Sequence, residues 1–226
     1  ERSIFDALEL NCRRLDVFFM IGLPGQTPDS VRDTVAYCRG LLEQCRRRNL
    51  GGRLRPFISP LSPFLDPGSR AFEEPDKHGY RLFHRTLEEH RRALEAPSWK
   101  YTLNYETRWM SRDELVDVTY EAALELNRIK LEHGLLRPAE AQRIAERISR
   151  ERRLMAEIDR VWPGGGEGRE EELRAIMEAY QAVGPATICQ KDEMNWPSRF
   201  LRFNPLQILT SAAAGVLGRR RGGPRR

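Results

Sequence analysis

The residues best suited to hold a ligand are Gly22-Leu-Pro-Gly-Gln-Thr27. Glycines let a ligand approach the backbone closely, and a helix starting at Thr27 would offer free N–H groups to a carboxylate or phosphate. The same spacing also serves an ordinary strand-to-helix turn, and it is neither a Walker loop nor a G-x-G-x-x-G fingerprint. Thiolate chemistry would have to come from Cys12, Cys38, Cys45 and Cys189. Cys38 and Cys45 are seven apart on one predicted helix, roughly 10 Å along its axis, too far for a disulfide or for neighbouring ligands of one metal. Both fall on its apolar face and are expected in the core. His78, His84 and His90 recur every six residues. On a single helix they would point about 120° apart, whereas a shared helical metal site needs spacings of three or four. They read as part of a solvated, mixed-charge helix, as do Glu88, Glu89 and Glu170 to Glu172. No Ser/His/Asp set or carboxylate pair stands out, so no catalytic residue and no metal ligand is nominated.

The elements around the glycine turn follow from pattern. Residues 15–22 are a nearly continuous apolar run ending at glycine, as in a strand of a parallel sheet buried on both faces. Thr27 caps the next helix, with Pro28 at its first position and Asp29 in its first turn. Val31, Val35, Cys38, Leu42 and Cys45 line one face of that helix, which closes on Arg46-Arg-Arg48 before Gly51-Gly52. Residues 53–59 read as the next strand, completing a crossover unit. Proline and glycine make 60–76 a loop, a helix is expected over 77–94, and 97–110 read as an irregular aromatic connector. Ser111-Arg-Asp-Glu114 is a capping box opening a helix with Leu115, Val118, Ala122, Leu126 and Ile129 on one face. Gly134 stops it. Pro138 starts another, carrying Ile144, Ile148, Met155 and Ile158 to about Val161, and a third is expected over 170–183. The organisation is thus an α/β portion at 1–96, the connector at 97–110, an α-helical region at 111–217 and a low-complexity basic tail at 218–226.

These strands carry a family resemblance. Asp16-Val-Phe-Phe-Met-Ile-Gly-Leu-Pro-Gly-Gln-Thr27, followed by a helix, resembles the fifth strand of the radical S-adenosylmethionine partial (β/α) barrel. Pro56-Phe-Ile-Ser-Pro-Leu-Ser-Pro-Phe-Leu-Asp-Pro-Gly-Ser69 resembles the sixth strand and its loop, and Cys189-Gln-Lys-Asp-Glu-Met-Asn-Trp-Pro197 is similar to the helical C-terminal region of the cobalamin-associated branch. The resemblance implies an α/β fold, the C-terminal part of such a barrel followed by helices. It implies an enzyme in which a [4Fe–4S] cluster reductively cleaves S-adenosylmethionine, with cobalamin as a further cofactor of the branch. By position it nominates Met20, Gly22, Leu23, Pro24 and Gly25, with Phe57 and Ser59, as S-adenosylmethionine-binding residues. Many relatives have Glu where Gln26 stands. The cluster motif C-x3-C-x2-C is absent from this chain. The sequence also opens at Glu1 inside an uncapped helical pattern. The expectation is therefore a C-terminal piece, inactive alone, whose partners are the upstream part of the same polypeptide and an unidentified small-molecule substrate.

Composition bounds the alternatives. The chain has 226 residues, 40% hydrophobic and 31% charged, enough for one domain or a domain with a helical appendage. Mean hydropathy is −0.61, and no apolar run is long enough to span a bilayer. The cysteines are not a secreted scaffold's, and there is no secretory signal, so a cytoplasmic protein is expected. The pI near 9.2 invites a rival reading, a non-enzymatic helical module binding nucleic acid or protein. Trp99, Tyr101, Tyr105 and Trp109, interleaved with Lys100 and Arg108, could stack bases, or could seal a seam between the two portions. The net charge of +5 matches the five arginines among the last eight residues. Without that unselective tail, basic and acidic residues are equal in number.

Overall fold

A computed structural model describes residues 1–60, 65–95 and 98–161, with 171, 172, 175, 176 and 178. All lie in one compact unit, Glu1–Ala186; a second, Thr187–Arg226, is outside the described residues. Cys189, the Asn195-Trp-Pro197 string and the basic tail fall there. Most of the helix expected over 170–183, in the first unit, is also outside the described residues; the five residues named above are helical.

The chain begins with α1 (Arg2–Glu9), β1 (Leu15–Ile21), α2 (Pro28–Arg47) and β2 (Leu54–Pro60). β1 and β2 pair in parallel, with Leu15 opposite Leu54 and Met20 opposite Ser59. This is the crossover unit read from the sequence. Thr27 accepts from the Ser30 N–H, and Ser30 reciprocates to the Thr27 N–H, so α2 starts where its cap chemistry demands. Val31, Val35, Cys38, Leu42 and Cys45 are all buried. The fold is mixed α/β with helix predominating. Among the described residues no further strand joins β1 and β2, and no barrel is formed.

β1 is not buried on both faces as its composition suggests. Leu15, Val17, Phe19 and Ile21 face the core side, while Phe18 is 61% and Met20 45% exposed. Strand side chains alternate between faces; the core packs one face of this pair, and on the other Lys130 and Leu135 meet Phe57 and Arg55 while Phe18 and Met20 stay open.

The stretch after β2 departs most from expectation. Two short helices, α3 (Arg70–Glu73) and α4 (Pro75–His78), interrupt the expected loop. The single helix expected over 77–94 is instead the end of α4, a strand β3 (Tyr80–Leu82) and a shorter α5 (Leu87–Leu94). Gly79 ends α4 in the left-handed region at φ 75°, and the Thr86–Glu89 capping box restarts helix only at residue 87. The connector is structured too: α6 (Trp99–Thr102) precedes β4 (Tyr105–Thr107), which pairs antiparallel with β3.

α7 (Arg112–Glu132) and α8 (Pro138–Val161) match their caps. Ser111 and Glu114 form the predicted box, and Gly134, at φ 67°, follows the end of α7. The five expected core residues of α7 are buried, as are Ile144, Ile148, Met155 and Ile158 of α8. α7 packs on α2 and on β2. Lys100 ties the connector to both long helices, reaching Asp113 at 2.6 Å and Asp159 at 2.7 Å. Among the described residues no helix is long and apolar enough to cross a membrane.

Candidate functional site

The nominated residues gather at the carboxyl ends of the two parallel strands, the end at which open α/β sheets hold ligands. Paired residues of parallel neighbours share a face, so Met20 and Ser59 stand together on the uncovered side, above Phe18 and Phe57. Phe18 and Phe57 stack with ring centroids 5.1 Å apart, and the Phe18 ring is mostly open. Lys130 reaches around from α7 and sets its ammonium 4.2 Å from the centre of the Phe57 ring. Arg55, on the same face as Phe57, donates to the Leu135 carbonyl at 2.8 Å. The face is an apolar, partly aromatic floor with a cation at one side.

The turn above it is closed by its own residues. Leu23 to Gln26 form a β-turn in which the Gln26 N–H donates to the Leu23 carbonyl. Pro24 holds the second position, and Gly25, at φ 78°, takes the third, which a type II turn reserves for glycine. Gln26 then folds back. Its Oε1 accepts from the N–H groups of Gly22 at 2.9 Å and Leu23 at 3.0 Å, and its Nε2 donates to the Met20 carbonyl at 3.0 Å. Several of the N–H groups expected of this turn are therefore already engaged. Those of Gly22 and Leu23 go to Gln26, that of Gln26 goes to Leu23, and those of Thr27 and Ser30 are held in the capping box of α2. Only a side chain that accepts and donates at once can make this set, which a carboxylate cannot do. Gln26 thus has a defined structural task.

Gly22 is braced from the other side of the molecule. Its φ is 95°, and its carbonyl accepts the Tyr80 hydroxyl at 3.0 Å. A Cβ at Gly22 would stand 2.7 Å from the Tyr105 hydroxyl oxygen. Tyr80 and Tyr105 meet edge to face at 5.4 Å, and both are buried. Burial alone pushes the Tyr80 hydroxyl above its usual pKa. Sequence reasoning singled out Tyr105 only as connector and missed Tyr80, whose three-residue strand is too short for alternation to signal it.

Of the nominated residues, the structure therefore brings Met20, Phe57 and Ser59 onto one face and sets Gly22, buried, at its end. Leu23, Pro24 and Gly25 form the exposed outer rim of the turn. Phe18, which was not nominated, stands among them.

The other chemistry-bearing residues are placed elsewhere. Burial pushes the Cys38 thiol up to about 12, and burial also raises Cys45. Cys12 is half-buried and donates to the Arg14 carbonyl. Among the described residues no three His, Cys, Asp or Glu side chains could hold a metal ion. The histidines do not share a solvated helix: His78 ends α4, His84 lies between β3 and α5, and His90 is on α5. The last two are half-buried, with rings 6.0 Å apart. Of the connector aromatics, Trp99, Tyr101 and Tyr105 are turned inward, while Trp109 stays 41% exposed. Trp99 donates to the Tyr120 hydroxyl at 2.8 Å, and Tyr101 to Asp159 at 2.8 Å.

Comparison of the chain with models of protein families, with curated proteins and with solved structures gives no match.

Proposed function

We propose that this chain is the C-terminal part of a radical S-adenosylmethionine enzyme and supplies one wall of its S-adenosylmethionine site. The observation that carries the reading is the uncovered face of β1 and β2, where Phe18, Met20, Phe57 and Ser59 adjoin a glycine turn at the strands' carboxyl ends. An adenine ring wants an apolar wall with polar groups at its edge, and this face offers both. Phe18 and Phe57 would hold the ring, Ser59 and the strand-end backbone would meet its polar edge, and Gly22 allows close approach. The Gly22 and Leu23 N–H groups are not assigned to the ligand, because Gln26 occupies them. Held beside a reduced cluster, S-adenosylmethionine supplies a 5′-deoxyadenosyl radical. The described residues do not fit that cluster, so it is assigned to the upstream part of the same polypeptide, as is any cobalamin. The cytoplasm is the compartment this reading expects.

The test joins this chain to the coding region immediately upstream, reconstitutes the protein anaerobically with iron and sulfide, and assays 5′-deoxyadenosine after reduction. The reading expects product from the joined protein, none from this chain alone, and at least a tenfold loss in Met20→Asp, which sets a charge on the apolar floor. Product from this chain alone would overturn the shared site. An upstream region without C-x3-C-x2-C, together with no product, would overturn the family reading.

A further inference from the structure

The contact between α2 and α7 does not close along its whole length. Val31 and Val35 of α2 and Val118, Ala122 and Ile129 of α7 wall a gap of about 350 Å³, with Ala36 at its border. Well-packed helix pairs interdigitate and leave few voids larger than a water molecule. Here valine and alanine predominate, and their side chains are too short to meet across the space. Beyond it the same helices carry Leu41, Leu42 and Leu126, all buried. α7 also packs on β2 and α8, so it cannot move onto α2 without leaving them. The space is therefore held open by the packing around it.

The mouth of the gap is framed by charge. Arg32 reaches Glu121 at 3.5 Å, and Arg39 reaches Glu125 at 3.2 Å. The two arginines are seven residues apart, roughly 10 Å along α2. Each is anchored a second time, Arg32 to Asp29 at 2.6 Å and Arg39 to Glu132. Arg128 in turn holds both Glu125 and Glu132. The four rim side chains carry equal numbers of positive and negative charges. A carboxylate entering there meets Glu121 and Glu125 as well as arginines that are already engaged. An ammonium meets Arg32 and Arg39. Either would also have to leave water for walls of valine, alanine and isoleucine. A neutral apolar molecule gives up only its apolar hydration and restores the contacts that the walls lack.

Size narrows the class further. An apolar cavity of about 150 Å³ takes benzene. Pockets for larger ligands begin at about 300 Å³. The α2–α7 gap lies just above that point, and its walls offer no hydrogen-bonding side chain.

We propose that the α2–α7 gap is a binding site for a small uncharged apolar molecule with the bulk of two fused rings. It shares no residue with the uncovered face of β1 and β2, and it does not depend on what that face binds.

The test is an NMR titration of the full chain, with 13C-labelled alanine, valine, isoleucine and methionine methyl groups. Indole is the probe, and indole-3-acetate and tryptamine are its anionic and cationic counterparts. Indole should shift the methyls of Val31, Val35, Val118, Ala122 and Ile129 saturably, and each charged counterpart should bind at least about tenfold more weakly. Ala36→Leu pushes a side chain into the border of the gap and should weaken indole by about tenfold or more. Glu121→Gln leaves the rim with a net positive charge, and should strengthen indole-3-acetate by about threefold or more without helping tryptamine. The absence of saturable shifts at these methyls would overturn the proposal. So would charged counterparts that bind as tightly as indole, or indole binding unchanged in Ala36→Leu. Saturation at the Met20 methyl alone would set indole on the uncovered face and reject this site. Wall methyls that shift with protein concentration before indole is added would assign the gap to a side chain of a second molecule instead. If Ala36→Leu does not fold, Glu121→Gln decides: an unaltered preference among the three probes rejects the site.

Discussion

The Tyr80 hydroxyl donates to the carbonyl oxygen of Gly22 at 3.0 Å, joining residues 58 apart in the chain. The β3–β4 pair thereby becomes a buttress for the turn that ends β1. Tyr80 supplies a hydrogen bond, and Tyr105 supplies a wall that leaves no room for a side chain at residue 22.

Gly22→Ala should therefore destabilise the protein by on the order of 2–4 kcal/mol, combining left-handed backbone strain with overpacking against the Tyr105 hydroxyl. Urea unfolding measures this. Adding Tyr105→Phe should return part of the loss by removing the atom that the new methyl meets. A double variant no more stable than Gly22→Ala would show that backbone strain alone sets the cost.

Gln26→Ala leaves the N–H groups of Gly22 and Leu23 without their protein acceptor. A loss of about 1–3 kcal/mol is expected, less if water reaches them. Amide exchange at Gly22 and Leu23 should quicken with it. Unchanged exchange there would mean that Gln26 does not hold the turn.

Glu151 is buried on α8, and desolvation raises its carboxyl above the usual range, with Arg147 opposing the shift more weakly. A folded-state pKa above the unfolded value favours the protonated form on folding, so stability falls as pH rises through that folded pKa. Glu151→Gln should therefore stabilise the protein at neutral pH, and the gain should vanish in acid below the ordinary carboxylate range. Thermal melts across that interval read the difference. A gain that persists in acid would assign the effect to packing instead.

Between α2 and α7 lies a gap of about 350 Å³, walled by Val31, Val35, Val118, Ala122 and Ile129 and bordered by Ala36. Arg32 reaches Glu121 across its rim at 3.5 Å, and Arg39 reaches Glu125 at 3.2 Å. Ala36→Leu, set at the border, should cover apolar surface without forcing the walls apart. A gain of roughly 0.5–2 kcal/mol is expected, as for other cavity-filling changes. A lower melting temperature would mean that the ion pairs and the new side chain compete for the same space.

Where local chemistry decides, the fold was legible in the sequence. Thr27, Ser111 and Pro138 start helices because their caps or ring geometry leave few alternatives, and Val31 to Cys45 face inward at helical spacing. The stretch from Gly79 to Thr86 was not legible as strand. Three residues with one partner 25 positions away carry little periodicity, and the charged run after them looks helical. The meeting of His84 and His90 depends on that missed strand, so spacing alone could not reveal it. The candidate site was legible only in part. Spacing singled out the glycine turn; Met20, Phe57 and Ser59 came from the family resemblance alone; and only coordinates reveal that Gln26 takes the N–H groups of Gly22 and Leu23. The open side of β1 was hidden for the opposite reason: Val17, Phe18, Phe19 and Met20 are apolar on both faces, and composition cannot say which face finds a neighbour.

That open side has a colloidal consequence. Among the described residues, neither outer edge of the β1–β2 pair meets another strand, and β1 offers seven residues of backbone beside bare Phe18 and Met20 rings and thioether. Unblunted edges of this kind template strand-to-strand association between molecules. The Asp16 carboxylate, paired with Arg14, is the charge standing at its near end. Solubility of the isolated chain should therefore hinge on this strip, and a lysine in place of Phe18 should extend the concentration range over which it stays monodisperse.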